Sequence, residues 1–245
     1  MAALSTFAGV IVIVVAALLR QDRGRSRQDF LTAIGFALYI ALAIKLHIEL
    51  THWFPKTLDP VFLRYDKAIG FDPLYVMVVA RQHPSILRLL EASYWLLSAM
   101  LGLAWVLEQN RVLRLAAFLG GMLCFAFYAL FPAVGPVFYN WNAGFALLAP
   151  RNCMPSMHFT WSILMAWNAE RVRWRVLFII YSLLIAVATL AIGEHYLIDL
   201  LAAVPYTVVI QLGAASLHRS KKVQNVLIPL RAGETPVESD SAPGP

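Results

Sequence analysis

Seven apolar runs separated by short arginine-rich segments constrain this chain more than any other feature. A backbone crossing hydrocarbon must satisfy its own N–H and C=O groups, so runs of this kind fold as helices. Spans are expected at about 4–19, 30–50, 86–107, 113–131, 156–169, 176–192 and 195–217. The composition agrees, because 60% hydrophobic and 14% charged residues do not describe a soluble domain of this size. The expected fold class is all-α, a polytopic transmembrane helical bundle.

Charge sets the expected orientation. Thirteen of the twenty Lys and Arg fall in inner loops and the tail, six in outer segments, and Lys45 within a span. Cytoplasmic loops carry such an excess, which places the N-terminus outside and the C-terminus inside. Topology therefore explains the net charge of +6, and no nucleic-acid partner is expected. The first run has no basic leader and no small-residue cleavage site, so it reads as an uncleaved helix. Residues 1–29 form a first helix with its basic loop, 30–222 the membrane-embedded catalytic domain, and 223–245 a largely disordered tail rich in Pro, Gly, Ser and acids. Cys124 and Cys153 make neither a disulfide framework nor a metal-ligand pattern. No metal and no cofactor is expected.

Residues 51–84 are a long outer segment. Its apolar stretch 74–80 is too short to span and suits an interfacial helix. Lys45 and Glu49 are i,i+4 near the outer end of the second span. They either snorkel to the interface or line the mouth of a polar site.

Two short motifs carry the chemistry. Pro155-Ser156-Met157-His158 opens one apolar helix, and His195-Tyr196-Leu197-Ile198-Asp199 opens another. Both lie at outer ends, at one membrane depth. Ser156 is placed as an N-cap, which puts His158 in the first turn among free backbone N–H groups. The start of the helix at His195 offers a second anion site. His195 and Asp199 share a helix face, so the carboxylate can hold one imidazole nitrogen while the other attacks phosphorus. His158 is then the acid for the leaving alkoxide. Arg151 is the nearest basic residue in sequence and the expected main cation, with Lys45 and Arg81 as further candidates. Glu194 would repel a phosphate if it pointed inward, and its expected direction is toward solvent.

These residues resemble the type 2 phosphatidic acid phosphatase superfamily, whose motifs read P-S-G-H and S-R-x5-H-x3-D. Met157 stands in place of Gly, and Ala188 and Thr189 stand at the S-R positions. The K-x6-R-P motif is absent, and residues 131–136 occupy its place without the basic residues. The departures, together with residues 66–71, look like the branch of inositol phosphorylceramide synthase and sphingomyelin synthase-like lipid phosphotransferases. The resemblance covers about 86–217. It implies a six-helix core, a phosphohistidine intermediate, a lipid substrate, and an extracytoplasmic active site in a bacterial inner membrane. A dianionic phosphomonoester favours several Arg or Lys contacts, and a diester needs fewer, so the missing cations lean toward a diester or headgroup transfer. Lipid phosphate hydrolysis is the alternative within this class. A non-catalytic lipid transporter or scaffold is the alternative outside it.

Overall fold

The protein is described from a computed structural model covering residues 2–19, 23–108, 110–141 and 149–232. Arg20 and the tail beyond 232 lie outside the described residues, as does the side chain of Trp141. Ten α-helices run in order among the described residues. They are α1 (Ala2–Leu19), α2 (Arg23–Trp53), α3 (Asp59–Ala68), α4 (Pro73–Gln82) and α5 (Pro84–Trp95). Then come α6 (Leu97–Glu108), α7 (Arg111–Leu130), α8 (Met157–Asn168), α9 (Val172–Ile192) and α10 (Leu197–Ala232). A π-helical turn, Val137–Trp141, precedes α8. No strand occurs among the described residues, so the chain is all-α.

Helices occupy all seven expected runs. Four are long and apolar enough to cross a membrane: Ser26–Trp53 in α2, all of α7, all of α9, and Leu197–Ser220 in α10. The pair α5 and α6 makes a fifth, broken by a 49° bend. The bend has a local cause. Tyr181 on α9 donates its hydroxyl to the Ser93 carbonyl at 2.8 Å. That carbonyl would receive the Leu97 N–H in an uninterrupted helix, and a side chain inserted there breaks the ladder. The remaining runs give shorter helices. Helix α1 has 18 residues, and α8 has 12, about 18 Å of rise against a hydrocarbon core of roughly 30 Å.

Small residues set the closest crossing. Helix α1 packs on α2 and α6. A Cβ on Gly9 would lie 2.3 Å from the Ser98 carbonyl oxygen, and one on Gly102 would lie 2.6 Å from that of Gly9. Lipid supplies no hydrophobic drive between helices, so close backbone approach and packing hold such pairs together.

Helix α8 is the hub, with α6, α7, α9 and α10 around it. Its C-terminal end is tied by paired amide hydrogen bonds, Asn168 Nδ2 to Gln211 Oε1 at 2.9 Å and Gln211 Nε2 to Asn168 Oδ1 at 3.0 Å. Its N-terminal end is the start of the site. Within segment 51–84, α4 occupies the short apolar stretch expected as a helix at 74–80, and α3 is a further helix that was not expected. Helix α3 packs against α10, and α4 against α9 and α5. Gly193 ends α9 in the left-handed region at φ +85°. A Cβ there would lie 2.5 Å from Met77 Sδ of α4, so both the turn and the packing require glycine.

Candidate active site

Both motifs begin helices, and the structure brings them together. Ser156 is fully buried and caps α8, its Oγ accepting from the Phe159 N–H at 3.4 Å. The Ser156 N–H donates to the Asp199 carbonyl at 3.3 Å, which pins the start of α8 to the start of α10. His158 follows in the first turn of α8. Its ring stacks on Tyr94 with centroids 3.9 Å apart and planes 15° apart. His195 lies just before α10, and its ring centroid is 6.3 Å from that of His158.

Asp199 sits one turn below His195, with Oδ2 3.4 Å from His195 Nδ1. That distance is longer than a charge-assisted hydrogen bond, and Nδ1 and Asp199 Oδ1 have no hydrogen-bond partner among the described residues. Asp199 Oδ2 instead accepts from the Tyr196 N–H at 2.8 Å. Such contacts tighten when a substrate occupies a site.

The helix start at His195 does not provide the expected second anion site. Asp66 on α3 accepts from the Leu197 N–H at 2.7 Å and the Ile198 N–H at 3.0 Å. Asp199 takes the Tyr196 N–H, and the Asp199 N–H returns to the Tyr196 carbonyl at 3.2 Å. All four donors of the first turn are therefore satisfied within the chain. A second buried carboxylate, Asp59, accepts from the Gly135 N–H at 2.9 Å, the Val134 N–H at 3.1 Å and the Tyr196 hydroxyl at 3.0 Å. It joins the 131–136 segment to the residue after His195. Burial raises the Asp66 carboxyl above its ordinary range, while its two N–H donors oppose the rise.

Sequence reasoning missed Asp59, Asp66, Tyr94 and Tyr196. Asp66 lies in Arg64-Tyr65-Asp66-Lys67, and residues 66–71 entered the sequence reading only as part of the branch resemblance, with no role for Asp66. Nothing local signals a carboxylate whose partners are more than a hundred residues away.

His158 lines an apolar cavity of about 460 Å³, walled by residues such as Phe36, Tyr39, Tyr128 and Trp161. Among the described residues no Lys or Arg lines it, and neither do His195 and Asp199. The expected cations are elsewhere. Arg151 is fully buried, but its guanidinium donates to the carbonyls of Phe54 at 3.0 Å, Pro55 at 3.5 Å and Ala149. It clamps the loop before α8 to the end of α2. Lys45 is exposed and does not line the cavity, and no ion pair joins it to Glu49 among the described residues. Arg81 lines a second cavity of about 410 Å³ with Glu91 and Glu194.

Glu194 corrects an expectation too. It does not point away to solvent, because it lines both cavities. Its carboxyl is raised by burial, with His195 pulling the other way. Cys153 is also fully buried here, donating to the Glu194 carbonyl at 3.2 Å. Cys153, His195 and Asp199 offer a sulfur, a nitrogen and an oxygen within 4.8 Å of one another. A soft cation placed there would occupy the same atoms as the His195–Asp199 pair.

The PAP2 superfamily profile matches residues 61–213. The chain belongs to the PAP2 superfamily. No curated protein and no solved structure matches it. Membership supports phosphatase- or phosphotransferase-type chemistry on a lipid phosphate, carried out by an integral membrane protein. The matched region begins in α3, so it takes in Asp66 as well as both histidines. At the superfamily's S-R positions, Ala188 and Thr189 are both fully buried in α9. Ala188 packs with Leu90 and Tyr94. The Thr189 carbonyl accepts from the Glu194 N–H at 3.1 Å and the His195 N–H at 3.4 Å. Here α9 shapes the turn that carries His195, and a stacked tyrosine wall stands beside His158.

Proposed function

We propose that this protein is a lipid headgroup phosphotransferase of the branch resembling inositol phosphorylceramide synthase, acting on a phosphodiester through a phosphohistidine. The observation that carries the reading is the 6.3 Å separation of the His158 and His195 rings, with Asp199 behind His195, where His158 lines an apolar cavity that no Lys or Arg among the described residues lines. His195 Nδ1 faces Asp199, which leaves Nε2 to attack phosphorus. The P–N bond forms as the P–O bond to the lipid alcohol breaks, and His158 supplies the proton to the leaving oxygen. An acceptor alcohol then takes the phosphoryl group, returning the electron pair to Nε2 and its own proton to His158. A wall of aromatic rings suits a lipid tail, and a singly charged diester tolerates the absence of cations better than a dianion does. The catalytic domain in this reading is 30–222, with the site on the extracytoplasmic side of a bacterial inner membrane.

Hydrolysis of a lipid phosphate is the same chemistry with water as acceptor. The test uses the purified full-length protein with a headgroup-labelled phospholipid panel, with and without a lipid alcohol. Acid-labile label on the protein, moved to the alcohol and lost in His195→Ala, is the expected result. Label released only to water turns the reading to a phosphatase. Turnover unchanged in His195→Ala overturns the site, and absence of turnover and label across the panel leaves the scaffold reading standing.

A further inference from the structure

The two cavities share a wall. Phe138 and Glu194 line both, while the ionisable groups Arg81 and Glu91 line the second cavity alone. We propose that the second cavity is a headgroup subsite, which takes the hydroxyl- or amine-bearing headgroup of a lipid phosphodiester with Glu194 and Glu91 as its hydrogen-bond acceptors. The inference rests on the phosphotransfer reading above.

The argument begins with the shape of the substrate. A phosphodiester has two arms. With phosphorus at the histidine pair, a lipid arm fits the 460 Å³ apolar cavity that holds His158. The other arm must leave on a different side. Glu194 immediately precedes His195 and opens on the 410 Å³ cavity, so a short polar arm has a place to go. A phosphomonoester has no second arm to fill it.

The position of Glu194 is fixed by its backbone. Its N–H donates to the Thr189 carbonyl at 3.1 Å, and its carbonyl accepts from Cys153 Sγ at 3.2 Å. Gly135, at φ +90°, lies so close that a Cβ there would come within 2.4 Å of the Glu194 carbonyl oxygen. Phe138 is held opposite by the π-helical turn, which the Val137 N–H ties to the Gly193 carbonyl at 2.9 Å. The partition between the cavities is thus part of the same framework that positions His195.

The lining chemistry selects the arm. An ionised carboxylate only accepts hydrogen bonds, so two of them call for hydroxyl or ammonium donors. Two carboxylates beside one guanidinium disfavour an anionic headgroup. A carboxylate left without a donor in a partly enclosed site is penalised, so an arm lacking one is rejected.

The experiment compares phosphatidylglycerol and phosphatidylethanolamine, whose headgroups carry donors, with phosphatidylmethanol, which has the same net charge as phosphatidylglycerol and no donor. Wild-type protein should prefer the donor-bearing lipids in kcat/KM by about tenfold or more. In Glu194→Gln and Glu91→Gln that ratio should fall toward one. An equal preference in wild type, or a ratio unmoved by both variants, overturns the subsite. A second measurement stands apart from turnover. In the His195→Ala background, phosphatidylglycerol should raise the melting temperature more than phosphatidylmethanol does, and Glu194→Gln should abolish the difference. If turnover is absent throughout but this difference holds, the phosphotransfer reading fails and the subsite remains. If turnover is present without any difference, the subsite fails alone.

Discussion

Asp66 accepts the backbone N–H of Leu197 at 2.7 Å across 131 residues of chain, capping the helix that carries Asp199 from outside that helix. The bond makes α3 a support for the His195–Asp199 pair. Asp66→Asn keeps one acceptor oxygen and loses the charge at a helix N-terminus. We expect a loss of about 1–2 kcal/mol in stability. We also expect a fall in kcat exceeding any rise in KM, with Asp66→Glu restoring part of it. Kinetics beside a denaturant melt check this, and unchanged kcat in a destabilised Asp66→Asn would make the residue merely structural.

The two histidines should respond differently to the leaving group. His158→Ala should retain measurable activity on an aryl phosphodiester, whose leaving oxygen needs no proton. His195→Ala should be inactive on every substrate. General-acid loss is worth about 10²–10⁴-fold where the leaving group is poor. Phosphate trapped on His158 would reverse the two roles.

Arg151 should matter for stability more than for affinity. Its side chain serves the carbonyls of Phe54, Pro55 and Ala149. Arg151→Met would leave those acceptors without their donor, at a cost on the order of 3 kcal/mol. The expected result is a lower melting temperature with substrate KM within about twofold, an affinity change well under the tenfold that 1.4 kcal/mol represents. A large KM change in a folded Arg151→Met would return Arg151 to the phosphate.

Gly9→Leu should separate α1 from α6, because its Cβ already meets the Ser98 carbonyl. Overpacking of this kind costs about 1–3 kcal/mol. That Cβ would also meet the Phe36 ring and the Ser98 side chain, which line the 460 Å³ cavity, so residual folded protein should show a raised KM. An unchanged KM in a destabilised Gly9→Leu would show that the cavity wall absorbs the shift.

Glu194 gives a pH signature. Burial raises its carboxyl above the ordinary 4.5, and His195 opposes that shift. Tyr94 and Cys153 also interact with Glu194, while Arg81 and Glu91 share its cavity. A raised folded-state value means that Glu194 favours folding below its unfolded pKa, and that this contribution is lost as pH rises through the folded one. Glu194→Gln should therefore melt at or above wild type near neutrality, with the difference closing in acid. Preference for donor-bearing headgroups should fall as Glu194 protonates, at a pH above 4.5. A preference flat with pH down to 4.5 would contradict this.

The apolar runs by themselves determined the helices, because hydrocarbon leaves a backbone no other way to satisfy its polar groups. The nearness of His195 and Asp199 was legible from their i,i+4 spacing, although His195 lies just before α10 rather than on its face. The start of α8 at Ser156 followed from the same local rules. Tertiary structure alone decided what surrounds those residues. Asp59 and Asp66 had no role visible in sequence, because the groups they bond lie 75 to 137 residues away. Arg151 looked like the phosphate ligand because sequence distance counts residues, whereas a guanidinium bonds whichever carbonyls the folded loop presents. Glu194 faces inward because Gly135, Thr189 and Cys153 fix its peptide, and those contacts join segments some forty to sixty residues apart or packed across the turn after α9. Local pattern carries information about a helix and its own face. Which donors, acceptors and rings meet that face depends on how separate helices pack, and no short window of sequence contains it.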